Sequence, residues 1–465
     1  MVFFLSFLAF VSQMGWKEGT PAPVLEADPG FEKLYWKSWE LLQSAVVEET
    51  RLAIFPPRFL APKGRVSFEE AISLPLYARW GWRANPCIET YNFALRLISP
   101  DGTSPDVVLL SDGSRQGVAY GLPLAPLSGW SLYEITGDKT FLSMILPSVS
   151  LRHRLYEKIF LQNRGGYLPS GFSPLPNVET PPAVQESSES LGLLLLSQEF
   201  LLKIAKASSS PAESALRKSA EEYRARLAAL FDKETGCYRG KDKEGKPTER
   251  LSLVPFWGGI GGNLSVEHPS LKKAFLDSDK FGTKMPLPIV AKSDPAFRAD
   301  EECRPLFQYL TLKALLECGQ NELAGTLAER ILRFMQLDAG KNHFLYSEYG
   351  AETRSHSPLA ETDSLEAGYM TIAGLIEAVI GIRVNAEKKI VMWNLRRTDR
   401  HGILKLRFAD CTVSLICLPR KHKTSSASLE VQTDKTFTLI VRIGEKEWSK
   451  KFPSGKTIWN LSNES

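Results

Sequence analysis

The sequence predicts a mainly α fold, a double-layered toroid of six helical hairpins or (α/α)6 barrel, followed by a small C-terminal antiparallel β domain. Three observations predict it. From about residue 30 to 384, helical patterns alternate with loops, and some helices are amphipathic while others are apolar nearly all round. No fixed sequence period links these units, which argues against a solenoid of helical hairpins. After about Ala386 the apolar period changes from helical to two.

The totals bound the function. A chain of 465 residues suits one large domain plus a smaller one, and 43% hydrophobic with 24% charged residues reads as globular. The formal net charge of +4 indicates no special partner. The basic run "PRKHKTSS" from Pro419 has no interleaved aromatics and reads as a solvated loop, so no nucleic acid is expected. Six cysteines, at 87, 237, 303, 318, 411 and 417, contain no CxxC, and the six histidines contain no HExxH. Neither a disulfide framework, a metal site nor a cofactor is therefore called for.

The chain begins "MVFFLSFLAFVSQMG", an apolar run of signal-peptide length and too short to span a bilayer. No Lys or Arg precedes it and no small-x-small cleavage site follows. Two readings stay open: a secretory signal, making the protein secreted or periplasmic, or an apolar helix of a cytoplasmic protein. Residues 1–29 are thus a possible signal segment and leader, 30–384 the toroid and 386–462 the β domain. No later segment reaches membrane-spanning length without charges.

Within the toroid, "FEKLYWKSWELLQSAVV", "IETYNFALRLI", "LSGWSLYEITG" and "KTFLSMILPSVSLRHRLYEKIF" read as successive helices. The segment Leu191 to Ile204 is apolar nearly all round, as an enclosed helix must be. The next, from Ser210, carries Leu216, Ala220, Tyr223, Leu227 and Leu230 on one stripe. Ser210 as N-cap, Pro211 in the first turn and Glu213 three residues on predict its start. "RPLFQYLTLKALLECG", "ELAGTLAERILRFMQL" and "LEAGYMTIAGLIEAVIGI" complete the series, with shorter helices at "EEAISLPLYARW" and "SLKKAFL". In the β domain, Val413, Leu415 and Cys417 alternate with their neighbours, as do Phe437, Leu439, Val441 and Ile443.

A toroid leaves a funnel whose rim loops supply side chains. Three loops rich in Gly, Pro and aromatics qualify: "LYARWGWRANPCIET", "GGYLPSGFSPLPNVETPP", and "FWGGIGGN" with the later "MPLPIVAKSDPAFRADEE". Trp80, Trp82, Tyr167, Trp257 and Phe297 are flat platforms of the kind on which sugar rings stack, while carboxylates and amides bind hydroxyls. Rim packing is the plainer reading of any one of them alone.

The order of "DPGFEKLYWKSWELL", "ITGDKTFLSMILPSV", "FDKETGCY", "SDPAFRADEE" and "FLYSEYGAET" resembles glycoside hydrolase family 63 and the mannosylglycerate-hydrolase-like toroids. The resemblance implies inverting hydrolysis of an α-linked glucosyl or mannosyl saccharide, with one carboxyl group as acid and another as base, roughly 6.5–9.5 Å apart to admit water. A small saccharide or glycoside is the implied partner. Glu89 stands where the family keeps a sugar-binding Asp. In "GFSPLPN", Ser173 and Pro174 occupy the acid and amide positions of the family's acid motif, and Asn177 replaces its arginine. A serine hydroxyl cannot act as general acid near neutral pH, and Glu179 is the nearest substitute. In "YSEYGAET" the base falls on Ser347 or, with the turn one residue shorter, on Glu348, which is favoured. Gln308 and Tyr309 match the start of a substrate-contacting inner helix, although the loop "RADEECR" before it lacks the family's aromatic and Gly-Pro.

The candidate site is therefore Glu348 and Glu179 for catalysis, with Trp82, Glu89, Tyr167, Trp257, Gln308 and Tyr309 for substrate. Two functions compete: an active inverting glycoside hydrolase, and a degenerate sugar-binding or scaffold module lacking the general acid.

Overall fold

The computed structural model describes residues 15–50, 52–162, 184–261, 269–300 and 302–461. The helices are α1 (Pro29–Ser44), α2 (Phe68–Ser73), α3 (Pro75–Ala78), α4 (Cys87–Arg96), α5 (Ala125–Thr136) and α6 (Lys139–Gln162), then α7 (Ser188–Ala207), α8 (Glu213–Ala228), α9 (Pro269–Leu276), α10 (Pro305–Glu317) and α11 (Asn321–Asn342). A 3₁₀ segment, Val254–Gly261, and a π-helical segment, Tyr369–Ile380, join them, with three single 3₁₀ turns at Pro62–Gly64, Arg79–Gly81 and Leu365–Ala367.

Burial follows composition. Every residue of the π-helical segment is buried, as are 15 of the 20 residues of α7, whose centre is apolar nearly all round. α8 buries only Ala220, Tyr223 and Leu227, its apolar stripe. It starts at Glu213 rather than at Ser210, because Ser210 is spent on a turn: its carbonyl accepts from Glu213 N at 3.2 Å and its hydroxyl from Ala212 N at 3.3 Å. In α1, Phe31, Leu34, Tyr35, Trp39 and Leu42 form the buried stripe. Each such large apolar side chain contributes about 1.5–3 kcal/mol on burial.

Contacts between elements form a circuit. α3 packs on α5, α5 on α7, α7 on the 3₁₀ segment, that segment on α10, and α10 on the π-helical segment, which returns to α3. α4, α6, α8, α11 and α1 pack outside them. The junction "GD" between α5 and α6 shows how a hairpin is made. Gly137 takes φ 74, which only glycine adopts without strain, and its N–H is accepted by Tyr133 O. Asp138 Oδ1 then accepts from Thr140 N at 2.9 Å and Phe141 N at 3.2 Å, capping α6.

Besides short two- and three-stranded pairings within the helical region, the strands of the two larger sheets are β1 (Ala22–Leu25), β2 (Ile382–Asn385), β3 (Ile390–Asn394), β4 (His401–Phe408), β5 (Cys411–Cys417), β6 (Ser428–Thr433), β7 (Phe437–Ile443), β8 (Lys446–Phe452) and β9 (Gly455–Asn460). One sheet runs β1-β4-β5-β6-β9, the other β2-β3-β7-β8. Two details depart from expectation. β1, in the stretch read as leader, pairs antiparallel with β4, and β3 pairs parallel with β7. Alternation identifies a strand's two faces but carries no information on its partner, so neither pairing was visible in the period. The sheets meet the C-terminal ends of the inner helices: Glu134 O and Ile135 O accept from Ala386 N and Ala409 N at 2.9 and 2.8 Å. The N-terminal ends are left for a site.

Candidate active site

A cavity of about 370 Å³ lies where those N-terminal ends converge. Its lining comes from α2 and α3, the turn before α5, the outer helix α6, the start of α10 and the approach to the π-helical segment. Five carboxylates line it, Glu69, Glu70, Glu348, Glu361 and Glu366, along with three arginines, Arg65, Arg152 and Arg304. That volume falls in the range of small-molecule sites, and the paired charges suit a polyhydroxylated ligand.

Each charge has a defined setting. Arg304, just before α10, binds Glu366 through both Nη2 and Nε, the latter at 3.3 Å. Burial opposes its charge, but Glu366, with Glu348 and Glu69 nearby, holds its pKa above the ordinary value. Arg152, buried on α6, donates to Gly102 O at 3.2 Å and Ala119 O at 2.9 Å and lies over the rings of Phe68 and Tyr156. Glu69 lines the cavity and keeps an exposed side chain, with protein packed close around its carboxyl. Burial raises its pKa, Asp106 adds to this, and Arg152, Arg304 and the Gly121 N–H oppose it. A Cβ on Gly121 would overlap the Glu69 carboxyl, so any larger residue there displaces that side chain. Glu70 has its pKa pushed up to about 7, first by burial, then by Glu366 and Glu361, with Arg65 and Lys63 opposing. Glu361 is held by Lys63 at 2.7 Å, which lowers its pKa.

Of the residues expected from sequence, Glu348 lines this cavity. Its carbonyl accepts from Ser357 N at 3.1 Å, and the following Tyr349–Gly350 pairs with Glu302–Cys303, beside Arg304. Ser347 also lines it, but its hydroxyl accepts the Glu361 N–H at 2.9 Å and its own N–H bonds Glu361 O. That serine is committed to holding the turn.

The other expected residues stand elsewhere. Trp257 is fully buried, its indole N–H bonded to Thr311 at 2.9 Å, and offers no face to a ligand. Gln308 is fully buried and donates to Pro286 O at 2.7 Å. Tyr309 sits deeper, its hydroxyl donated to Glu377 at 2.9 Å within a buried ionic cluster. Trp82 is half-buried and donates to Arg407 O at 3.3 Å, against the β sheet. Glu89 is exposed on the first turn of α4. None of these five lines the cavity. Glu179 and Tyr167 lie outside the described residues.

Sequence reading missed Glu69, Glu70, Arg152, Arg304 and Glu366. The one available signal was the pair "EE" opening a short, otherwise apolar helix. Arg304 sat in the loop "RADEECR", read there only as a truncation.

Comparisons with known proteins bear on the fold. The family model described as a mannosylglycerate hydrolase MGH1-like glycoside hydrolase domain matches residues 191–357. The crystal structure of the GH63 mannosylglycerate hydrolase from Thermus thermophilus in complex with glucose shares the fold at 15% identity and TM-score 0.54, over 74% of this chain and 99% of that one. An α-L-rhamnosidase from Dictyoglumus thermophilum does so at 14% identity and TM-score 0.61, over 96% of this chain and 50% of that one. An uncharacterized protein of Borreliella burgdorferi is 22% identical over 375 residues, 72% of this chain and 75% of its own length. The family match defines a glycoside-hydrolase-like domain at residues 191–357, and the structural neighbours share the surrounding fold. Over those residues the chain is similar to the mannosylglycerate hydrolases, the resemblance its segment order implied, and the family 63 structures share its fold. No described helix is long and apolar enough to cross a membrane.

Proposed function

We propose that the circuit of inner elements is the inner layer of an (α/α)6 barrel spanning residues 30–384, and that its cavity binds a small α-linked glucosyl or mannosyl saccharide. Hydrolysis there is inverting, with Glu348 as the base that activates water. The observation that carries this reading is the placement of Glu348 in one cavity with four further carboxylates and Arg304, at the N-terminal ends of the inner elements. Helix N-termini and arginines favour carboxylates in their ionised form, and ionised carboxylates accept from sugar hydroxyls. A Glu348 carboxylate in this setting takes the proton of an attacking water.

A second reading, a sugar-binding module without turnover, is favoured by Ser173 and Pro174, which stand where the family keeps its acid. Calorimetric titration with α-glucosides and α-mannosides, followed by product assay, tests both. Binding with turnover that Glu348→Gln abolishes supports the hydrolase. Binding without turnover over days supports the module, and absence of binding overturns both.

A further inference from the structure

Inverting hydrolysis needs a second carboxyl group, one that carries a proton at working pH. Ser173 cannot supply it. The cavity itself holds a substitute, found by asking what each of its carboxylates is already doing.

Glu361 is paired with Lys63, and Glu366 is clamped by both ends of the Arg304 guanidinium. Glu69 receives the Gly121 N–H and faces Arg152 and Arg304. Glu361 and Glu366 are thereby tied to ion-pair donors that favour the ionised form, and Glu69, although burial raises its pKa, has the Gly121 N–H as a fixed partner. Glu70 differs: its carboxyl has no hydrogen-bond or ion-pair partner among the described residues. It projects from a helix whose register is pinned, since its carbonyl accepts from Leu74 N at 2.8 Å and Ser73 Oγ at 3.3 Å. The charges facing it are Glu366 and Glu361 on the approach to the π-helical segment, and Arg65 and Lys63 on its own side. Two carboxylates and partial burial make the neutral form the easier one to hold, consistent with a pKa near 7.

A second observation points to a ligand at the same place. Tyr77 on α3 lines the cavity and is 1% exposed, and its hydroxyl has no hydrogen-bond partner among the described residues. Its ring is fixed edge-on against Tyr369, with centroids 4.9 Å apart. A buried hydroxyl left unpaired is costly, and a ligand hydroxyl would recover that cost.

Resting on the saccharide reading above, we propose that Glu70 is the general acid of this site and that the Tyr77 hydroxyl binds a hydroxyl of the sugar. In the step, the Glu70 carboxyl gives its proton to the glycosidic oxygen as the bond from that oxygen to the anomeric carbon breaks, the bonding pair leaving with the oxygen. Water attacks the anomeric carbon from the other face and its proton passes to Glu348. The products are two alcohols, one of them the free sugar. Glu70 is left ionised and Glu348 protonated, and exchange with solvent restores both.

A general acid matters most when the leaving group is a poor one, which gives a test that structural damage does not imitate. The full chain and its Glu70→Gln variant are assayed on a methyl α-glycoside and on the 2,4-dinitrophenyl α-glycoside of the same sugar. Glu70→Gln is expected to lose about 10²–10⁴-fold in kcat on the methyl glycoside and far less on the dinitrophenyl glycoside. Glu348→Gln is expected to lose both. Equal losses on the two substrates, or unimpaired methyl glycoside turnover in Glu70→Gln, overturn the assignment. Calorimetry separates the layers: Glu70→Gln should still bind the methyl glycoside, and Tyr77→Phe should bind it more weakly. Wild-type binding without any turnover overturns the acid role and leaves the binding site standing. If wild type binds neither glycoside, the saccharide reading falls and this one with it.

Discussion

Replacing Glu377 by Leu should destabilise the protein severely. Glu377 sits in the π-helical segment with its side chain 2% exposed, and Arg79 opposite is 4% exposed. One carboxylate oxygen takes Arg79 Nη2 at 2.7 Å and the Tyr309 hydroxyl at 2.9 Å, and the other lies 3.6 Å from Lys313 Nζ. Leucine fills a similar volume but strands the buried Arg79, whose Nε and Nη1 already have no partner among the described residues, and leaves Lys313 only Glu317 at 3.8 Å. Removing one partner of a buried pair costs about 3–5 kcal/mol, against about 0–1 kcal/mol for an exposed pair. The urea unfolding midpoint should therefore fall by one to several molar units, taking a slope of about 1–3 kcal/mol per molar. An unchanged or raised midpoint would refute the reasoning, because it would mean that the desolvation of these charges already cancels their attraction. Tyr309→Phe in the same cluster removes one hydrogen bond, about 1.5–3 kcal/mol for one made to a charge, and should leave saccharide affinity as it was.

Three further outcomes follow from named contacts. Asp138→Ala removes the cap of α6 and should cost about 0.5–2 kcal/mol in unfolding free energy. His401 is fully buried, with its pKa lowered to about 4 by burial, so the unfolded chain binds a proton near pH 6.5 that the native state refuses. Its contribution, about 3 kcal/mol, is present above that pH and is lost as pH falls from about 6.5 to 4, so His401→Gln should flatten stability over that window. In the rate profile, activity should decline as pH rises through about 7, where Glu70 loses its proton, and in Glu70→Gln that limb should vanish.

The sequence disclosed the scaffold better than the site, for physical reasons. Enclosure is a property of composition, so α7 announced itself by being apolar on every face, and alternation exposed β5 and β7. Which residues meet in a cavity depends on how distant elements pack, and Glu70, Arg152, Arg304 and Glu366 are far apart in the chain. Aromatic character misled in the other direction. Trp257 looked like a sugar platform and Tyr309 like a substrate contact, yet each has an internal partner for its polar atom, Thr311 and Glu377, and is spent on the core. The start of α8 was misplaced because Ser210 has the chemistry of a cap and is used for a turn instead.

The most direct test of the account is a crystal structure of the chain with a bound α-glucoside or α-mannoside. The sugar ring is predicted in the 370 Å³ cavity, within hydrogen-bond distance of Tyr77 and with its anomeric carbon between Glu70 and Glu348. A ring seated outside that cavity, for example against Trp82 at the β sheet, would contradict it.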